Sequence, residues 1–195
     1  ASGDTIYVAG GVYNEMVTLT KGNGSNLTVR GIGRVVIDTT GIGEPACSWA
    51  DAGVTNAFYD ITILCPSGRA IYCSANSYSR TTVTLVRCVL RGLTGISLPS
   101  AVSTVNATST LFVCDVGINM GYDAMLSLAS STLIGTTTGA IIAGPITSLI
   151  TMIAASFISA PTMLILAAGA SADYNCLNFS GGNKTTINAV NYTSL

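Results

Sequence analysis

Asp60-Ile61-Thr62-Ile63, Arg87-Cys88-Val89-Leu90 and Cys114-Asp115-Val116 follow one another at about 27 residues. Echoes come at Ser131-Thr132-Leu133-Ile134, Ala155-Ser156-Phe157-Ile158 and Asn175-Cys176-Leu177-Asn178-Phe179, spaced at about 17 to 24. A recurrence of this length, each unit holding two or three short β-rich runs, marks a solenoid. One coil cannot bury its own apolar face, so neighbouring coils must stack and bury a continuous column. The spacing predicts that Cys88 and Cys114 stack in that column. A β-sandwich has similar strand density but gives no reason for the period.

The rest of the chain agrees with an all-β reading. Thr5-Ile6-Tyr7-Val8, Met16-Val17-Thr18-Leu19, Leu27-Thr28-Val29 and Val35-Val36-Ile37 are closed by Gly10-Gly11, Gly22-Asn23-Gly24 and Gly31-Ile32-Gly33. Nowhere does a helical apolar period run for 10–12 residues with caps. The expected fold is therefore a single right-handed parallel β-helix over residues 1–195, with 181–195 a C-terminal tail or cap. Strand structure close behind Ala1-Ser2-Gly3 implies a removed leader or a fragment of something longer. It also implies a first coil without a capping helix.

Composition narrows the function. Charged residues are 9% of the 195, hydrophobic residues 49%, histidine is absent and the net charge is −1. A basic footprint for nucleic acid is therefore missing. All six arginines (Arg30, Arg34, Arg69, Arg80, Arg87, Arg91) precede the midpoint, and no charge occurs from Ala124 to Ala172. The apolar stretch from Leu149 to Ala170 is interrupted by Thr151, Ser156, Ser159, Pro161 and Thr162 and lacks flanking Lys or Arg, which favours buried strand over a membrane span. Six cysteines (Cys47, Cys65, Cys73, Cys88, Cys114, Cys176) form no CxxC pair, so no metal and no cofactor is expected. They read as small core residues, with Cys65 and Cys73 the easiest disulfide to draw.

Gly3-Asp4-Thr5-Ile6-Tyr7-Val8-Ala9-Gly10-Gly11-Val12-Tyr13-Asn14-Glu15 resembles the opening coil of the pectin-lyase-like β-helix superfamily, pectin methylesterases in particular. The resemblance runs on through Asn26–Gly33 and Val36-Ile37-Asp38. It implies a β-helical scaffold that elsewhere carries polysaccharide chemistry. Arg87-Cys88-Val89-Leu90-Arg91-Gly92 is similar to the esterase segment ahead of its catalytic Gln-Asp, but Leu93-Thr94-Gly95-Ile96 follows, without a carboxylate. Cys114-Asp115-Val116 is similar to the next family segment, with Asp123 two residues out of step from the nucleophile. The family's later arginine has no counterpart after Arg91. Asp4 and Glu15 read as turn and strand-edge residues.

Asp115 and Asp123 are the one close acidic pair and the only candidate catalytic residues. A glycosidase would need them within about 5–9 Å. The six Asn-x-Ser/Thr sequons (Asn23, Asn26, Asn106, Asn178, Asn183, Asn191) matter only in a eukaryotic secretory pathway. Thr81-Thr82-Val83-Thr84 and Thr136-Thr137-Thr138 suggest threonine ladders, yet no Thr-x-Thr recurs on successive coils, so they read as surface threonine. Tyr59, Tyr72, Tyr78 and Tyr122 would form a sugar-stacking strip or, more simply, a half-buried core edge.

These observations favour a non-catalytic structural module of an extracellular, cell-surface or virion assembly: a spike, tail or capsid component, or a fibre. The partners expected are further copies or other subunits, with surface glycans a second class. An uncharged outer surface over 124–172 calls for a covering partner, centred on Ala140–Ala168 and its Ile141, Ile142, Ile150, Ile153, Leu164 and Leu166. The alternative is a carbohydrate-active lyase, esterase or hydrolase of the same scaffold.

Overall fold

The structure, a computed structural model, describes residues 3–19, 26–50, 53–74, 79–99, 102–121, 123–142, 149–153, 156–160, 162–166, 171–174, 177–179 and 192–194. Side chains are described as far as Thr138 and at Ala160. The described residues contain strands and turns and no helix, and every strand pairing is parallel. The chain is a β-solenoid.

Three files of strands stack in register. On the first face Ile6, Val29, Phe58, Leu85, Ala107 and Leu128 succeed one another. On the second, Tyr13, Ile37, Ile63, Leu90, Phe112 and Leu133 do so. On the third, Cys47, Ile71, Ile96 and Ile118 line up. About five turns separate Asp4 from Leu126, and backbone pairing continues through Ile150, Ala172 and Tyr192. Alternation along each strand sends one residue inward and the next outward, as in Thr81–Val86, where Thr81, Val83 and Leu85 are buried and Thr82, Thr84 and Val86 are partly exposed.

The corner between the first and second faces has a repeated backbone. Asp60, Arg87, Ser109 and Ser130 hold φ of 59°, 54°, 50° and 48°, and Gly33, in the corresponding corner of the preceding coil, holds 83°. This left-handed conformation turns the chain sharply within one residue and is unfavourable for residues with a Cβ. The inward residue that follows helps to hold it. Cys88 Sγ donates to the carbonyls of Phe58 (3.3 Å) and Val86 (3.5 Å), and Thr110 Oγ1 to Thr108 (3.1 Å). Ser131 Oγ lies 3.0 Å from the Ala129 carbonyl and 3.1 Å from that of Ala107. Small polar side chains thus sit inside the column because the corner leaves carbonyls there that need donors.

The register corrects the expected stacking of Cys88 on Cys114. Cys114 pairs with Gly92, and Arg87 is followed one coil later by Ser109. The turn shortens from 27 residues, between Asn56 and Val83, to 22, between Val83 and Val105. Both remaining corners shrink: the one into the first face from residues 74–80 to 99–102, and the one between the second and third faces from three residues between Cys65 and Arg69 to one between their partners Gly92 and Thr94. Coils keep their faces in register and lose residues at the corners, so a constant sequence period fails.

Candidate functional site

Glu44, Asp60, Asp115 and Asp123 each tie one coil to another, whereas Asp38 accepts from the Thr40 N–H within its own turn. Asp60 and Arg87 meet in a two-pronged pair at 2.6 and 2.8 Å on successive left-handed corners. Glu44 accepts from Arg69 Nε at 2.9 Å, Nη2 at 3.1 Å and the backbone N–H at 3.0 Å. Hydrogen bonds from the facing guanidinium hold the Asp60 and Glu44 carboxyls below the usual carboxylate range. Both pairs are substantially solvent-exposed, so each contributes modestly and is screened by salt. Since the folded pKa is depressed, their stabilisation is present above the unfolded value and is lost as pH falls through the folded one.

Arg80 spans more of the column. Its Nη1 reaches the Ser103 carbonyl (3.3 Å), Thr104 Oγ1 (3.2 Å) and the Asp123 carbonyl (3.1 Å), and its Nη2 reaches Asp123 Oδ2 (2.7 Å). One guanidinium therefore joins three consecutive coils at the corner between the third and first faces. Asp123, itself at φ 46°, is placed there by this clamp.

Asp115 lies at a different corner, between the second and third faces. Its carboxylate accepts from the Thr136 hydroxyl and its carbonyl from the Thr137 hydroxyl at 2.7 Å, both from the next coil. Thr136-Thr137-Thr138 thus serves a corner. The extended Val116–Met120 strand segment runs between the Asp115 and Asp123 corners, five residues or roughly 16 Å of backbone. The fold does not bring the two carboxylates together at one point. Asp4 sits on the first strand opposite Leu27, and Glu15 is exposed.

Other sequence features fall into place by face. Tyr59 lies on the first face under Arg30, with the guanidinium 4.6 Å from the ring centre, and Tyr72 on the third face under Arg69 at 3.9 Å. They belong to separate surfaces, and Tyr78 and Tyr122 lie outside the described residues. Thr55, Thr82 and Thr104 form an outward file on the first face, next to Thr28, Ala57, Thr84, Asn106 and Ser127. The threonine file is real, although Thr-x-Thr occurs on only one of these coils. Sequence reasoning missed it because the threonines are offset by the varying coil length.

Cys47, Cys65, Cys88 and Cys114 are free and buried and Cys73 is buried as well; with Cys65 free, Cys65 and Cys73 are not bridged. Cys65 is opposite Gly92 on the second face and Cys73 opposite Trp49 on the third. Burial pushes the Cys47 and Cys114 thiols up to about 12. Such thiols are inert. A thiol reagent at neutral pH is expected to leave these five cysteines unmodified until the chain unfolds. In alkali the sign follows from the raised folded pKa: unfolded thiols ionise near 9 and folded ones near 12, so stability falls across that interval. Urea midpoints measured from pH 8 upward check this, and a flat profile would contradict it. Cys176 lies outside the described residues.

Among the described residues no three His, Cys, Asp or Glu side chains are grouped to hold a metal ion, and no helix is long and apolar enough to cross a membrane. Comparisons of the chain with protein-family models, curated proteins and solved structures found no match. The class defined by the fold is a parallel β-solenoid.

Proposed function

We propose that the chain is a non-catalytic structural module, a right-handed β-helix that packs against further copies of itself in a surface or extracellular assembly such as a virion spike, tail or capsid or a cell-surface fibre. Right-handedness is the expectation for parallel crossover connections, and kinship with the pectin-lyase-like superfamily rests on the opening coil.

The observation that carries the proposal is the outer side of the second face. Its outward positions are Val12, Thr62, Val89, Leu111 and Thr132 in one file, where Val36 is buried, and Asp38, Leu64, Arg91, Val113 and Ile134 in the next. Val12 is 63% exposed, Ile134 42% and the neighbouring Leu93 45%. On a chain so poor in charge, a face where exposed or half-buried Val12, Leu64, Val89, Leu111, Val113 and Ile134 are interrupted by only Asp38 and Arg91 among charged residues suits a contact surface. The carboxylates support the same reading, since Asp60, Glu44, Asp115 and Asp123 all join coils. The contact expected from sequence over Ala140–Ala168 concerns side chains outside the described residues. Backbone register pairs Ile142 with Met120 and Ile150 with Leu126, both core positions, and Ile141 with Asn119, an outer one.

Sedimentation velocity of the purified chain is expected to show a discrete oligomer that Ile134→Lys converts to monomer, with an unchanged circular dichroism spectrum. A wild-type monomer at high concentration would overturn the proposal. Incubation with pectin-type and host-surface glycans separates it from a carbohydrate-active enzyme. Turnover that disappears in Asp115→Asn or Asp123→Asn would establish the enzyme.

A further inference from the structure

Two buried hydroxyls stand opposite one another inside the column. Thr81 and Ser103 are register partners on successive coils, each fully buried, and neither Thr81 Oγ1 nor Ser103 Oγ has a hydrogen-bond partner among the described residues. A buried hydroxyl left unsatisfied is costly and rare. The two hydroxyls do not bond each other directly, and parallel strands stack about 4.8 Å apart, which is the separation of hydroxyls held in the same orientation on register partners. Two O–H···O bonds of about 2.8 Å meeting at a tetrahedral oxygen span about 4.6 Å. The ladder spacing therefore suits one oxygen between them.

The inward side chains also shorten along this file. The residues at this inward position on four successive coils are Val54, Thr81, Ser103 and Ala124, all buried. At constant coil spacing the side chain loses a γ-methyl at Ser103 and the remaining γ-atom at Ala124, so less of this file's own side-chain volume fills the column there. On the outer side Arg80 covers the Ser103 carbonyl and Thr104 and reaches Asp123, closing the corner. Trp49 Nε1, also buried and unpaired, belongs to the strand entering this corner one coil earlier and is not part of the same bridge.

We propose that an ordered internal water bridges Thr81 Oγ1 and Ser103 Oγ, a built-in ligand of the solenoid at the corner closed by Arg80. The test is a pair of shape-conserving variants, Thr81→Val and Ser103→Ala, with their double. Each single variant strips the water of one partner and leaves the other hydroxyl short, so the unfolding equilibrium constant rises about tenfold. The double variant removes both hydroxyls and the need for the water, and its effect is smaller than the product of the singles. An atomic-resolution crystal structure of the wild-type chain is expected to show one density peak within hydrogen-bond reach of both oxygens. Unchanged or raised stability in Thr81→Val, or empty density between the two hydroxyls, would overturn the proposal. The density decides the matter even if a variant fails to fold.

Discussion

Phe112→Ala is expected to destabilise the folded chain by about 3–5 kcal/mol. Phe112 is fully buried on the second face, between Leu90 of the preceding coil and Leu133 of the next, both also fully buried. In a solenoid the space left by a deleted ring is bounded above and below by coils whose spacing is fixed by backbone hydrogen bonds, so the site collapses poorly. Against a typical total of about 5–15 kcal/mol, the loss brings many such domains near unfolding at body temperature. The same truncation on the outer surface, Leu111→Ala, removes a partly exposed side chain and is expected to cost under about 1 kcal/mol. Urea denaturation of the two variants checks the contrast, and equal midpoints would refute the inward–outward assignment of this strand.

Gly92→Ala is the second large effect, by the opposite route. A Cβ at Gly92 would lie 2.6 Å from the Cys65 carbonyl oxygen and 2.9 Å from that of Gly68. Both are backbone atoms of the preceding coil, so neither can rotate away. The methyl must push the corner between the second and third faces apart, where Cys65 pairs with Gly92. Overpacking of this kind costs about 1–3 kcal/mol, here with strain passed along the stack. Gly41→Ala makes the comparison: no heavy atom lies within 4 Å of its Cβ, although its φ of 74° carries some backbone strain. Thermal melts that place Gly92→Ala well below Gly41→Ala agree with close coil contact. The reverse order would not.

The fold was legible where local chemistry decides it. Dense turn residues, β-branched runs and a recurring unit define stacked strands because each coil must hide the same alternating face. The period became unreadable after Arg87 because coil length is set at corners, which vary freely, while the faces stay in register. Alternation also misleads at Thr110 and Ser131: a polar residue on a strand reads as outward, whereas these two face inward, as Cys88 does, to meet carbonyls at the left-handed corners. The staples were hidden for a different reason. Glu44 and Arg69 are 25 residues apart and Arg80 and Asp123 are 43 apart, and pairing at such distances follows only from the register. Asp115 and Asp123, eight positions apart in sequence, looked like a pair, yet an extended strand with a corner at each end separates them.

The central claim is that parallel coils stack in register, and spin labels on outward register partners test it most directly. Thr84 and Asn106 are opposite one another on the first face, and Ser127 follows Asn106 one coil further on. Nitroxides at Thr84 and Asn106 sit on strands about 4.8 Å apart, and those at Thr84 and Ser127 on strands about twice that distance apart. The account predicts strong dipolar broadening for the first pair and clearly weaker broadening for the second. Absent broadening in the Thr84–Asn106 pair, or stronger coupling in the Thr84–Ser127 pair, would contradict it.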